Sequence, residues 1–106
     1  MRYNIESNTT PIYIQLVNQI KVEILAGRLK PGARLPSVRD FSFELKVNPN
    51  TLQRALSELE GEGLIYTERT NGKYITDDEK LILRCRKKYA DELTREYKRK
   101  LKEIGL

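Results

Sequence analysis

One predicted helix carries hydrogen-bonding side chains on the side opposite its leucines. Its apolar residues recur at spacings of three and four, which defines one buried helix face: Leu52, Ala55, Leu56 and Leu59. The outward side then carries Asn50, Thr51, Gln53, Arg54 and Ser57. Such amide, hydroxyl and guanidinium groups suit the base edges and phosphates of a DNA major groove. A helical hairpin with a polar solvent face explains these residues equally well, so the flanking sequence must decide between the two.

A shorter helix and a tight turn are predicted immediately before this helix. The shorter helix is indicated by apolar residues at spacings of three and four, namely Val38, Phe41 and Leu45. The turn falls on residues 46–48, and Lys46 occupies a position that often needs a positive φ. Asn48 can cap the second helix, and Pro49 suits its first position because the missing N–H costs nothing there. Residues 37–60 therefore predict a helix-turn-helix.

Phe43 does not fall on the apolar face of the shorter helix. The favoured interpretation is a partly covered ring that packs on a neighbouring side chain. The alternative is a contact across a dimer or with another partner, because an exposed apolar side chain can mark an interaction surface.

A further helix is predicted upstream of the helix-turn-helix. Thr10 is a fair N-cap, Pro11 is a good first helical residue, and the helix runs to about Ala26, where Gly27 ends it. Its apolar stripe consists of Ile12, Tyr13, Leu16, Val17, Ile20 and Ile24. Residues 1–10 are interpreted as an arm or a short edge strand.

A two-stranded hairpin is predicted directly after the helix-turn-helix. Residues 64–67 are rich in β-branched and aromatic side chains, which favours a strand, and residues 74–76 form the return strand. Between them, residues 70–73 contain Asn-Gly, a strong signal for a short turn. The order helix, helix-turn-helix, hairpin is that of a winged helix.

The remaining residues, 77–106, predict one long helix. Acidic residues 77–79 suit its N-terminus and are interpreted as capping groups. Its apolar stripe consists of Ile82, Cys85, Tyr89, Leu93, Tyr97, Leu101 and Ile104. A continuous helix here is about 40 Å long, too long to be covered by a small domain. We expect the stripe to pack against a second copy, the alternative being a helix that folds back in a monomer. The basic residues around Arg86 are interpreted as a solvated face.

Composition excludes most other classes of protein. The net charge is +5, shared as +2 over residues 1–76 and +3 over residues 77–106, so neither part is a purely basic arm. Histidine is absent and Cys85 is the only cysteine, which removes the commonest catalytic pairs and metal ligands. We therefore expect no catalytic residue, metal site or cofactor. A lone cysteine and the absence of an apolar span or signal sequence predict a cytoplasmic protein.

Three motifs between Pro11 and Ile75 resemble the GntR family of bacterial transcription regulators, and the short tail resembles its YtrA-type branch. The motifs are P-I-Y-x-Q, G-x-L-x-P-G-x-x-L-P-S-x-R and V-N-x-N-T-x-x-R-A, in PIYIQ, GRLKPGARLPSVR and VNPNTLQRA. The resemblance implies a homodimer that binds operator DNA near promoters and releases it when an effector binds. The short tail cannot enclose a large effector pocket, so a small-molecule effector, if present, is expected between subunits.

The resemblance also implies roles for individual residues. Arg39 is implied to contact the operator. Bases and phosphates are implied to lie within reach of Asn48, Asn50 and Thr51. Gln53 and Arg54 fall on the outer face of the recognition helix. The resemblance places Gly72 at the tip of the wing, which in the family reaches a minor groove, whereas Lys73 is expected on phosphate. This wing carries fewer Arg and Gly residues than is usual in the family, and the position of Phe43 is usually polar.

The sequence therefore predicts a mainly α-helical protein with a small β-hairpin. Residues 1–76 are expected to form a winged helix-turn-helix DNA-binding domain and residues 77–106 a helical dimerisation tail. The predicted function is sequence-specific regulation of transcription, as a homodimeric repressor on an inverted-repeat operator. The alternative is a winged-helix module that binds another protein, and an enzyme is disfavoured because no catalytic constellation is present.

Overall fold

The computed structural model describes residues 10–69 and 71–106. The arm or edge strand predicted for residues 1–10 thus lies, except for Thr10, outside the described residues. Six elements follow in order: α1 (Ile12–Leu25), α2 (Val38–Leu45), α3 (Pro49–Gly61), β1 (Ile65–Glu68), β2 (Gly72–Ile75) and α4 (Glu79–Glu103). The predicted winged helix-turn-helix followed by a C-terminal helix is confirmed.

The ends of the helices follow from local hydrogen bonds. The side chain of Ser37 accepts from the backbone N–H of Asp40 at the start of α2, and Asn48 does the same for Asn50 at the start of α3. Lys46 closes α2 with φ 57°, the left-handed conformation that its position predicts. The prediction for α1 needs a correction, because Pro11 occupies the cap position of that helix in place of Thr10.

The core lies between the three helices of the winged helix, the hairpin and the start of α4. It is formed by Ile20, Ile24, Leu25, Leu35, Phe41, Leu52, Leu56, Leu59, Leu64, Ile65, Ile75 and Ile82. Helix α3 contributes the whole leucine face predicted from its spacing, and each of those side chains is at most 1% exposed. Burial of this face fixes which side of α3 points outward.

The hairpin gains a third chain segment at its edge. Strands β1 and β2 are antiparallel, and Tyr66 pairs with Tyr74. Arg34 forms an isolated bridge with Tyr74 on the far side of β2. Backbone hydrogen bonds join Leu35 N to Lys73 O and Ile75 N to Ala33 O, both at 2.8 Å. The wing is thus tied to the segment that leads into α2.

Helix α4 starts on the core and then extends beyond it. Arg86 donates from Nε and Nη2 to the carbonyl oxygen of Leu25, at 3.1 and 2.9 Å, and so satisfies an acceptor at the end of α1. Arg86 is exposed, as its interpretation as part of a solvated face predicts, and it also ties α4 to the end of α1. Further along, hydrogen bonding to Arg99 lowers the pKa of Glu96. No helix in the described part of the chain is long and apolar enough to cross a membrane.

Candidate nucleic-acid interface

The outward side of α3 carries the polar side chains that its leucine spacing places there. Asn50, Gln53, Arg54 and Ser57 are exposed, and Thr51 is half-buried. Because Asn48 and Pro49 form the cap and first residue, the helix N-terminus stands beside these groups with its positive dipole end facing outward. The N-terminal half of α3 can therefore offer side-chain donors and acceptors to base edges, and its positive dipole end can face phosphate.

Arg54 is held in place by an aromatic ring on α1. Its guanidinium carbon lies 3.8 Å from the centroid of the Tyr13 ring, a cation–π contact between the two helices. The spacing of α1 indicated Tyr13 only as a stripe residue, yet its ring is half-buried and faces α3 near Asn50 and Thr51. Sequence periodicity carries no signal for this contact, because it joins residues that are far apart in the chain.

Arg39 lies in the first turn of α2 with its side chain exposed. Within residues 10–69 and 71–106 it forms no ion pair with Asp40 or Glu44, the intrahelical partners that could otherwise explain it. Its charge is therefore available to a phosphate or a base edge.

Phe43 lies one helical turn beyond Arg39 and is 87% exposed. The expectation that its ring packs on a neighbour is wrong, because α2 buries the opposite side, where Phe41 and Ser42 contact the core. With Val47 and Pro49, Phe43 lines a shallow groove between α2 and the start of α3. An apolar side chain is thus presented beside the candidate interface.

Two of the three acidic groups towards the end of α3 are matched by cations from neighbouring elements. Glu60 pairs with Lys73 at 3.3 Å, and Glu62 pairs with Lys21 at 2.8 Å. The third, Glu58, is exposed one turn after Arg54 and forms no ion pair among the described residues. The first turn of α3 holds no acidic residue, so the start of the helix is free of carboxylates that would repel phosphate.

Lys73 does not occupy the position expected of a phosphate contact. Side chains alternate across a strand, so Lys73 lies on the same face of the wing as buried Ile75 and points towards α3. Its Nζ pairs with Glu60 and donates to Thr67 Oγ1 at 3.0 Å, and only 16% of the side chain is exposed. The structure thus corrects the prediction for Lys73, which ties the wing to α3.

Gly72 begins β2 and stands close to the tip of the wing. The register pairs it with Glu68, whereas a two-residue Asn-Gly turn would place Gly72 inside the loop. Its φ of 96° lies in the region that only glycine adopts readily. The backbone conformation therefore requires glycine at position 72, in addition to any requirement from a close approach of the wing to DNA.

The residues predicted for dimerisation fall into two groups. Ile82 is 5% exposed and is a core residue of its own subunit, so its assignment to a dimer contact is wrong. Cys85 and Tyr89 are partly buried against the same core. Leu93 and Tyr97 are 56% and 64% exposed, and Leu101 is half-buried. The first turns of α4 therefore pack within the subunit, and the uncovered stripe begins near Leu93.

Known proteins share this arrangement of helices and wing. The family model of bacterial regulatory proteins, gntR family, matches residues 12–75. The chain belongs to the GntR family. The uncharacterized HTH-type transcriptional regulator YhcF of Bacillus subtilis is 36% identical over 93% of this chain and 82% of that protein.

Two further GntR proteins refine the comparison. The HTH-type transcriptional repressor YtrA of Bacillus subtilis is 46% identical over 72% of this chain, a match that spans only 58% of YtrA. A GntR family transcriptional regulator from Listeria monocytogenes has a TM-score of 0.88 and is 39% identical, covering 94% of this chain and 88% of that chain. The protein is thus a GntR transcriptional regulator of the YtrA type with a winged-helix DNA-binding domain, not an enzyme.

Proposed function

We propose that this GntR protein is a homodimeric repressor that binds an inverted-repeat operator through α3 of each subunit. In this proposal residues 1–76 bind DNA and residues 77–106 join the two subunits. One observation carries it: the N-terminal half of α3 presents Asn50, Gln53 and Arg54 outward, and its first turn holds no carboxylate. The relative YtrA, a transcriptional repressor by name, supports the direction of regulation.

Each side chain has a role that follows from its chemistry. Asn50 and Gln53 can form paired hydrogen bonds with adenine, and Arg54 can do so with guanine. Arg39 can hold a phosphate, and the positive dipole end of α3 favours phosphate nearby, which sets the orientation of the helix. Specificity therefore comes from α3, and much of the affinity comes from charge that salt screens.

Dimer formation is supported by the distal part of α4. This helix has 25 residues, and beyond Tyr89 its apolar side chains are largely exposed among the described residues, Leu101 being half-buried. Leu93 and Tyr97 lie one turn apart on the same side, and Ile104 is 72% exposed near the end. A second copy packed along this stripe would bury it and place two α3 helices on one duplex.

Selection of bound duplexes from a random pool with the purified protein tests the proposal. We expect an inverted repeat with half-site centres about 34 Å apart, one turn of DNA. Asn50→Ala and Arg54→Ala should each relax the base preference at one position of the half-site. Asn18→Ala, an equally exposed asparagine on α1, is the matched control and should select the wild-type motif. A pool without any enriched motif would contradict the proposal.

A winged-helix module that binds another protein is the second candidate, and exposed Phe43 is the observation that favours it. Such a module would bind duplex DNA without sequence preference, and Phe43→Ser would leave that DNA binding unchanged. Measurements of DNA affinity for the selected and scrambled duplexes over a range of salt concentrations separate the two candidates.

A further inference from the structure

The two faces of the wing have different chemistry. Alternation along β1 and β2 turns Ile65, Thr67, Lys73 and Ile75 towards the domain. The opposite face carries Tyr66, Glu68 and Tyr74, and the bridge from Arg34 to Tyr74 adds Arg34 to that row. The cation on the solvent face of the wing thus comes from the segment before α2, which is distant in sequence from the hairpin.

The Arg34 side chain extends along this face towards the wing tip. A Cβ built on Gly72 would lie 3.6 Å from both Nε and Nη2 of Arg34. That distance is ordinary van der Waals contact, so the Arg34 guanidinium lies close to the backbone at the start of β2 and would also tolerate a Cβ there. The positive φ of Gly72 is what requires glycine at this position.

The surroundings of Arg34 leave its charge unpaired. Neither Glu68 nor Asp77 forms an ion pair with it, and no other carboxylate of residues 10–69 and 71–106 does so. On the same face the rings of Tyr66 and Tyr74 stack with centroids 5.6 Å apart. The hairpin sequence itself supplies two cations: Lys73 is held by Glu60 on the other face, and Arg69 follows directly after β1 with its side chain exposed. Arg34 is the guanidinium that the structure places against Gly72.

We propose that Arg34 supplies the minor-groove contact of the wing, with its guanidinium entering the groove beside the half-site that α3 reads. This inference rests on the proposed function. A narrow minor groove in A·T-rich DNA concentrates negative potential and attracts arginine, whose planar group fits between the sugar walls. The segment before α2 thus adds a guanidinium to that of Arg69, the wing's own arginine, which follows directly after β1.

The test compares two wing cations on the duplex selected with wild-type protein. Arg34→Gln should weaken binding at least about tenfold and reduce the slope of log affinity against log salt by about 1. Lys73→Gln, matched in chemistry but on the other face, should leave that slope unchanged. Arg34→Lys should keep the slope while losing preference for A·T at the flanking positions. Thermal melting of each variant checks that the domain is folded.

Modified bases then identify the groove. Diaminopurine in place of adenine adds an amino group to the minor groove and leaves the adenine groups of the major groove in place. At flanking positions it should weaken wild-type binding severalfold and leave Arg34→Gln unaffected. Equal losses for both proteins, or a wild-type salt slope in Arg34→Gln, would overturn the inference while leaving the function of α3 intact. Failure of the wild type to select any duplex would overturn the proposed function and this inference together.

Discussion

The guanidinium carbon of Arg54 lies 3.8 Å from the centroid of the Tyr13 ring, so a residue of α3 is held by the first turn of α1. This contact restricts the long Arg54 side chain before any DNA is bound. Ordering such a side chain at an interface costs about 0.5–1.5 kcal/mol. The Tyr13 ring reduces that cost for Arg54.

Replacement of Tyr13 by leucine is expected to weaken operator binding without unfolding the protein. A cation–π contact at an exposed site contributes about 0.5–1 kcal/mol, which corresponds to a twofold to fivefold loss of affinity. Fluorescence anisotropy with a labelled operator measures it. Tyr13→Phe keeps the ring face and should bind like the wild type. If Tyr13→Phe is as weak as Tyr13→Leu, the ring is not what positions Arg54.

The ion pair between Lys73 and Glu60 is expected to stabilise the domain. Their side chains are 16% and 27% exposed, so the coupling should be about 0.5–1 kcal/mol, the upper part of the range for surface pairs. Urea denaturation of Lys73→Gln, Glu60→Gln and the double variant gives this coupling as a double-mutant cycle. The control is the same cycle on Glu60 and Lys30, which should give no coupling energy. Lys30 is an exposed lysine that forms no ion pair among the described residues.

The spacing of apolar residues predicted nearly all of the local structure. The leucine face of α3, the cap at Asn48 and the positive φ of Lys46 depend on neighbours in the chain, and all are found. Such short-range rules also predicted which side of α3 points outward. The strands were predicted over residues 64–67 and 74–76 and are found at Ile65–Glu68 and Gly72–Ile75, because the Asn-Gly signal does not specify which residues pair.

Side-chain pairing across elements could not be predicted from the sequence. The Lys73 side chain points towards α3, where it pairs with Glu60 near the end of that helix. Arg34 lies beside Gly72 because the segment that contains Arg34 pairs with β2. These contacts depend on how the elements pack, and the chain separation between the partners leaves no periodic signal. Ile82 was assigned to a dimer contact because apolar spacing does not show whether a helix face is covered by its own chain or by a second copy.

Phe43→Ser is expected to leave the stability of the protein unchanged. The ring is 87% exposed and contributes little to the core, whereas Phe41 two residues earlier is fully buried, and Phe41→Ala should cost about 3–5 kcal/mol. Thermal and urea denaturation of both variants measure the contrast. A loss of more than about 1 kcal/mol in Phe43→Ser would show that the ring is covered in solution by a second molecule or by another part of the chain.

Arg86 is expected to hold α4 on the end of α1. Its two hydrogen bonds to the Leu25 carbonyl oxygen satisfy an acceptor that the helix leaves open, and their loss in Arg86→Ala should lower the free energy of unfolding by about 1–2 kcal/mol. Arg84, exposed on the same helix without a partner among the described residues, is the matched control. Equal melting temperatures for the two alanine variants would contradict this role.

The uncovered stripe of α4 is expected to form the contact between subunits. Leu93 and Tyr97 are 56% and 64% exposed, and a charge on each would have to be buried if two copies packed there. Leu93→Lys combined with Tyr97→Lys should therefore give a monomer in sedimentation velocity at concentrations where the wild type is a dimer. Lys98→Glu and Lys102→Glu change charge elsewhere on the helix and should remain dimeric. Because α3 is unchanged, the monomeric variant should still bind a single half-site, with the weaker affinity of one subunit. If the double variant stays dimeric, the stripe of α4 does not form the contact between subunits.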